Sequence, residues 1–271
     1  MTEILRYAAF TEDPSGGNPA GVVLDAGTLD DAAMLAIAAD VGYSETAFIT
    51  ERGERSRVRY FSPLAEVPFC GHATVATAVA LGPGEHVFVT NAGDVPVVVD
   101  DAGRATLTSV GADVSDLAAD DLTALLTALR WSEFDLDDTL PPKVAYAGAY
   151  HPVLAAGSRK RLAELDYDVP ALKALMEARG WTTVQLIFRT GDDTFDVRNP
   201  FPVGCVYEDP ATGAAAAALG AYLRDLLVVE DDATVELSQG TDMGRPSRLT
   251  VRLRPGDRRV RVSGTAVPIS G

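Results

Sequence analysis

The sequence is short of positive charge, of cysteine and of histidine, and each shortage excludes something. Its 271 residues carry 23 Lys and Arg against 39 Asp and Glu, a formal net charge of −16. Binding to nucleic acid, or to an anionic membrane surface, needs clustered Lys and Arg. Here the acidic residues are spread along the chain and no basic cluster interrupts them, so neither partner is expected. Two cysteines, Cys70 and Cys205, do not make a disulfide framework, and a reducing cytoplasm is the expected location. No run of about 18 apolar residues is present, which excludes a transmembrane helix. The segment Met1-Thr2-Glu3-Ile4-Leu5-Arg6 lacks the basic and apolar regions of a signal peptide. There is no P-loop, dinucleotide fingerprint or zincin pair, and no His/Cys/carboxylate group has metal-ligand spacing along the sequence. Neither a metal nor any other cofactor is expected.

What is there suits one large or two medium domains: 47% of the residues are hydrophobic and 23% charged. Two stretches are built alike. One reads Glu66-Val67-Pro68-Phe69-Cys70-Gly71-His72-Ala73-Thr74-Val75-Ala76, the other Glu208-Asp209-Pro210-Ala211-Thr212-Gly213-Ala214-Ala215-Ala216-Ala217. Each is a turn running into small apolar residues, the pattern of a buried helix. A helix start offers unpaired N–H groups and partial positive charge, so Gly71 and Gly213 are candidate carboxylate binders. Two such ends facing one cleft would clamp a small carboxylic acid in an otherwise acidic protein.

The intervening sequence repeats one plan. Ile4 to Ala9, Gly21 to Leu24, Thr46 to Thr50 and Val58 to Phe61 read as strands, and Thr28 is expected to cap a helix that Gly42 ends. Short strands follow the first central helix, with a hairpin turn at Asp100-Asp101-Ala102-Gly103. The acidic stretch Gly111 to Asp121 reads as a linker. Helices are then expected over Leu122 to Leu129 and Pro170 to Arg179, strands within Val144 to Leu154, Thr183 to Phe188 and Phe195 to Arg198, and three closing strands near Val235, Leu249 and Val260. The expected fold is α+β, with two pseudo-symmetric domains, each a curled, mostly antiparallel sheet or barrel around a central helix. Residues 1–112 form the first domain and 113–271 the second, with the last strand, about 262–271, a candidate to return to the first.

Glu45 stands between a Gly-Tyr-Ser turn and an apolar strand, where partial burial favours a protonated carboxyl; a surface glutamate at a strand entry is the plainer reading of its local context. His72 lies in the first turn of a helix, whose positive end keeps an imidazole neutral; a buried, satisfied histidine fits as well. Asp209 is either an N-cap or, since Pro210 shifts the helix start toward Thr212, a carboxylate ahead of the cap that points into the cleft. Cys70 could be acidified at its helix start, but a two-thiol mechanism would need cysteine where Thr212 stands, so a packed small residue is expected; Cys205 is expected in the core. Asn18 could be a turn former or a substrate donor, and Arg245, in a Gly-rich loop, could pair with a carboxylate.

Taken together, Gly17-Asn18-Pro19-Ala20-Gly21-Val22, Tyr43-Ser44-Glu45-Thr46-Ala47-Phe48, Arg59-Tyr60-Phe61-Ser62-Pro63, Pro68-Phe69-Cys70-Gly71-His72-Ala73-Thr74, Glu208-Asp209-Pro210-Ala211-Thr212-Gly213 and Gln239-Gly240 with Met243-Gly244-Arg245-Pro246-Ser247 resemble the phenazine-biosynthesis PhzF-like family. The resemblance spans nearly the whole chain. It implies the diaminopimelate epimerase-like fold, an active site between two domains, a homodimer and a cofactor-free isomerase acting on a small carboxylic acid. By the same resemblance Glu45 takes a proton from carbon and redelivers it elsewhere on the substrate, His72 and Asp209 orient its polar groups, and the helix-start amides at Gly71 and Gly213 suit its carboxylate; Asn18, Ser44, Thr212, Ala214 and Arg245 are further candidate substrate-binding residues. Ala214 departs from the family, whose members commonly have serine there. The alternatives are a cysteine-type epimerase or racemase using Cys70, and a non-catalytic metabolite-binding protein on the same scaffold.

Overall fold

Small residues at the right spacing decide where the two central helices go. In the computed structural model, which describes residues 2–270, the chain forms two units: residues 2–108 with 263–270, and residues 109–262. The elements of the first part are β1 (Leu5–Ala9), β2 (Asn18–Val23), α1 (Asp31–Val41), β3 (Glu45–Glu51), β4 (Arg55–Phe61), β5 (Glu66–Val67), α2 (Gly71–Leu81), β6 (Gly84–Thr90), β7 (Gly93–Val99) and β8 (Ala105–Gly111). Then come β9 (Asp113–Asp116), α3 (Ala119–Leu129), β10 (Lys143–Tyr146), β11 (Tyr150–Ala155), α4 (Arg159–Ala163), α5 (Val169–Arg179), β12 (Gln185–Arg189), β13 (Thr194–Pro200) and β14 (Glu208–Asp209). The chain closes with α6 (Gly213–Asp225), β15 (Thr234–Gln239), β16 (Ser247–Arg254), β17 (Asp257–Gly264) and β18 (Ala266–Pro268).

In the first unit β1 lies antiparallel between β2 and β18, β2 is parallel to β3, and β3 antiparallel to β4. β4 is antiparallel to β5 and parallel to β6, which forms a hairpin with β7. Helix α2 touches β18, β1, β2, β3 and β7, so the strands wrap around it. His72 through Ala78 are all buried, and no polar face is left to aim at water. The Thr74 and Thr77 hydroxyls satisfy themselves by donating to the Cys70 and Ala73 carbonyls at 2.6 and 2.7 Å. Met34 and Ala38 of α1 cover Phe48 and Phe61 in a separate cluster.

The second unit repeats this order. β11 and β12 are parallel, β12 and β13 antiparallel, and β13 is antiparallel to β14 and parallel to β15. Helix α6 packs on β9, β10, β11 and β16 and is buried from Ala215 to Leu223. Gly220 sets how closely it approaches: a Cβ there would sit 2.6 Å from Val251 Cγ1. On another face, α3 and α5 share a core of Leu125, Leu129, Leu172, Met176 and Trp181.

Two local expectations are corrected. The N-cap of α1 is Asp30, whose carboxylate accepts from the Ala33 N–H at 2.8 Å, and Thr28 lies outside the helix. Residues 111–121 are no linker: β9 pairs with β10, and its acidic side chains are occupied by Arg258 (on Asp113) and Lys143 (on Asp116). Charge on an edge strand reads as loop when the partner cations lie far along the sequence.

Candidate functional site

Three segments of the first unit converge on one imidazole. Gly42 ends α1 in the left-handed conformation (φ 70°), which turns the chain so that Ser44 and Glu45 enter β3. The parallel pairing of β2 with β3 sets Ala20 opposite Glu45 and so brings Asn18 alongside. Cys70 is the N-cap residue of α2 and His72 lies in its first turn. The Asn18 amide Nδ2 is 3.1 Å from His72 Nδ1, and Ser44 Oγ is 3.4 Å from Nε2. Glu45 Oε2 lies 3.5 Å from His72 Nε2 and 3.5 Å from the Cys70 sulfur. The sulfur in turn is 3.3 Å from Nδ1 and 3.8 Å from Nε2.

The electrostatics of this group follow from burial. His72 is 5% exposed. Its pKa is held below the ordinary value, first by desolvation, against which Glu45 and a hydrogen bond to the Pro19 backbone pull upward. The imidazole is therefore neutral near pH 7. The helix-end effect expected from the sequence gives the same direction, but burial is the dominant cause. Asn18 carries both a donor and an acceptor, so it can serve either tautomer. Tyr60 donates to Thr74 at 2.6 Å and Thr74 to the Cys70 carbonyl, which fixes the backbone at the helix start. Burial raises the Tyr60 hydroxyl pKa, so it stays a donor. The Cys70 side chain does not cap α2, so the amides beginning at Gly71 keep their donor capacity.

The corresponding turn of the second unit is organised by a residue that sequence reasoning left as part of a loop, Gln239. Its carbonyl accepts from the Thr212 N–H at 3.1 Å, and its amide donates to the Asp209 carbonyl at 2.7 Å and to Thr212 Oγ1 at 3.1 Å. The Thr212 hydroxyl donates to Asp209 Oδ2 at 2.5 Å. Asp209 thus belongs to β14, ahead of the helix, and the N-cap is Thr212, whose side chain makes no cap bond to α6. Gly213 is buried, and Thr212 and Ala214 are half-buried. Arg245 is half-buried in the loop after Gly240 and donates its N–H to the Gly240 carbonyl. Gly240 cannot be replaced easily: its φ is +74°, and a Cβ would lie 2.2 Å from the Arg245 oxygen and 2.8 Å from that of Pro210.

One device recurs at both helix starts. Arg59 of β4 grips Glu66 of β5 with two bonds of 2.8 and 2.7 Å, and Arg198 of β13 grips Glu208 of β14 with two of 2.9 and 2.5 Å. Each fork clamps the short strand that leads into a central helix. The first is partly exposed; the second is buried, with side chains 8% and 3% exposed. The shared Glu of the two stretches was visible in the sequence, its arginine partner was not.

Other sequence expectations fare differently. Cys205 is exposed, in a left-handed turn (φ 61°), and not in the core. His151, set aside in the sequence, is fully buried against Thr183, with Nδ1 and Oγ1 2.8 Å apart. Burial pushes its pKa down to about 4. Its folded value lies below the ordinary one, so the unfolded chain takes up the proton first. Stability is full above about pH 6.5 and falls between there and about pH 4. At 1.36 kcal/mol per unit, we expect a loss of about 2 kcal/mol at pH 5 relative to pH 7. Trp131 and Trp181, both in the second unit, report its urea unfolding by fluorescence, and His151→Asn should flatten the pH dependence.

The family model described as phenazine biosynthesis-like protein (PhzC-PhzF) matches residues 7–271. The chain belongs to the PhzC-PhzF family. It is 33% identical to the uncharacterized isomerase YddE of Escherichia coli K12, with 98% of this chain and 95% of that protein covered. It is 30% identical to a trans-2,3-dihydro-3-hydroxyanthranilate isomerase of Pseudomonas chlororaphis, with 96% and 94% covered. The structure of a predicted epimerase from Pseudomonas aeruginosa superposes with a TM-score of 0.88 at 26% identity, covering 100% and 98% of the two chains. This member of the PhzC-PhzF family accordingly has the epimerase-like α+β fold and is an isomerase. Among its described residues no helix is long and apolar enough to cross a membrane.

Proposed function

We propose that this isomerase moves a proton on a small cyclic or amino carboxylic acid, with Glu45 as the general acid and base and no cofactor. The observation that carries the reading is the company Glu45 keeps. Its side chain is 14% exposed and its contacts are a neutral imidazole and a thiol. Among the described residues no Lys or Arg is paired with it, in contrast to Glu66 and Glu208, each held by a guanidinium. The guanidinium of Arg59 holds the Glu66 carboxyl below the usual carboxylate range, and a carboxylate tied up in such a fork is not available to take a proton from a substrate. His72, neutral through burial, supplies a hydrogen bond to the carboxylate or to a substrate polar atom without competing for the proton. The uncapped amides at the start of α2 suit a substrate oxygen that gains negative charge as the proton leaves. We assign substrate contacts to Asn18, Ser44 and Gly71, and in the second unit to Asp209, Thr212, Gly213, Ala214 and Arg245.

The test is incubation with a panel of cyclic amino and hydroxy acids in heavy water. Incorporation of deuterium into carbon that depends on Glu45 supports the assignment. Binding without exchange would make the chain a metabolite-binding protein instead. Cys70→Ala separates the proposal from a thiol mechanism: exchange should stay above about a tenth of the wild-type rate, whereas a base thiol would make the loss about 10²–10⁴-fold. The structure gives the thiol reading little help, because the residue equivalent to Cys70 in the second unit is Thr212, already bonded to Asp209.

A further inference from the structure

Buried polar groups are nearly always hydrogen-bonded, so a cluster of them without protein partners points to a bound molecule. On one face of the second unit three such side chains stand on three neighbouring strands. His151 of β11, Gln185 of β12 and Asn199 of β13 are each 0% exposed. His151 Nε2, both amide atoms of Gln185 and both of Asn199 make no hydrogen bond to the protein. The strand registers put them side by side. Val153 lies opposite Gln185, and His151, two residues before Val153, shares its face. One residue on from the Leu186–Arg198 pair, Gln185 lies opposite Asn199, and Asn199 in turn lies opposite Asp209. Leu154 and Leu186 point the other way, into the core shared with α3 and α5, so the polar row faces the side on which α6 packs.

The first unit shows how the partners were lost. The two arginine forks align Tyr60 with Asn199, and the two helix starts align Thr74 with Ala216. In the first unit Tyr60 and Thr74 bond one another at 2.6 Å. In the second a short amide replaces the phenol and a methyl replaces the hydroxyl, which opens room and removes the partner. Gln185, in the place of Ala47, brings a second amide to the same spot. His151 takes the place of Ala20, opposite Thr183 in the place of Glu45. Two facing amides have Cβ atoms about 5 Å apart. Since their polar ends bond neither each other nor any other protein group, the gap between them is one that water spans.

We propose that His151, Gln185 and Asn199 hold ordered water in a closed polar site inside the second unit. Water is the ligand class that these groups select. The amides offer donors and acceptors together, and the imidazole, kept neutral because burial pushes its pKa down to about 4, donates or accepts at Nε2 according to its tautomer. Asp209 is the one acidic member of the row, and the Thr212 hydroxyl already donates to it. A buried water makes about three hydrogen bonds, and the three side chains supply them. Asp209, proposed above to touch substrate, faces the same side as Asn199, so this hydration lies one strand away from that contact.

The experiment is NMR on the whole isotope-labelled protein with magnetisation selected on water. We expect Overhauser contacts from water to the side-chain amide hydrogens of both Gln185 and Asn199, opposite in sign in the laboratory and rotating frames, the mark of water held while the molecule tumbles. A double-mutant cycle is the second measurement. In urea unfolding followed by Trp131 and Trp181 fluorescence, Gln185→Leu and Asn199→Leu should couple by more than about threefold in the unfolding equilibrium constant, because they share one bridge. Amide hydrogens in contact with each other and not with water mean direct pairing; additive effects of the two substitutions mean separate groups with no bridge. Either result overturns the proposal. The water contacts are read on the unsubstituted protein, so they decide even where a leucine variant does not fold. No substrate takes part, so failure here is separate from any failure of the isomerase reading.

Discussion

Glu45→Gln should leave a folded protein that no longer moves protons between solvent and substrate carbon. Gln conserves volume and keeps one oxygen for His72 and Cys70, so the surrounding cluster can stay intact. The variant differs in having no basic carboxylate to accept the proton. Loss of a positioned acid/base group costs about 10²–10⁴ in rate, and deuterium incorporation followed by NMR measures it directly. His72→Gln should cost less, because the imidazole supplies a hydrogen bond and not the proton acceptor. Full exchange in Glu45→Gln would remove this residue from the mechanism, whatever the family of the chain.

The second large effect is on stability. Arg198→Ala removes a guanidinium that makes two bonds to Glu208 and donates to the Ala163 carbonyl at 2.7 Å. Glu208 would remain buried with its charge unpaired by that guanidinium. Breaking a buried pair from one side costs about 3–5 kcal/mol, whereas replacing both partners with well-packed apolar residues is often neutral. Arg198→Ala should therefore lower the urea midpoint of the second unit strongly, and Arg198→Met with Glu208→Leu should recover most of the loss. The equivalent Arg59→Ala, at a pair whose side chains are 19% and 27% exposed, should cost much less, read by circular dichroism. Equal losses at the two pairs would show that burial does not set their worth.

Both central helices were legible because a run of small residues that is apolar all round has no place but inside, and Gly71 and Gly213 mark where each begins. Glu45 and His72 were legible as residues worth attention, but their contact was not. It is made by parallel strand pairing and by a turn between β5 and α2, across 54 residues in the case of Asn18 and His72. Gln239 was hidden for the same reason: an amide in a strand end gives no sign that it will bond both sides of a turn 27 residues away. Residues 111–121 were misread because exposed acidic side chains look alike in a linker and on an edge strand. Cys205 was misplaced because burial was assumed from residue type, while its left-handed backbone puts it in a surface turn.

The closing strand has a consequence for how the protein is made. β18, residues 266–268, is the second neighbour of β1, a strand more than 250 residues before it in the chain. As the chain leaves the ribosome, residues 109–262 are continuous and are all present before that neighbour emerges. Until then one side of β1 is an open edge, with unpaired backbone groups able to recruit another chain. β1 thus waits for a partner made long after it. A nascent chain halted just before residue 266 would carry an adhesive margin that β18 otherwise conceals.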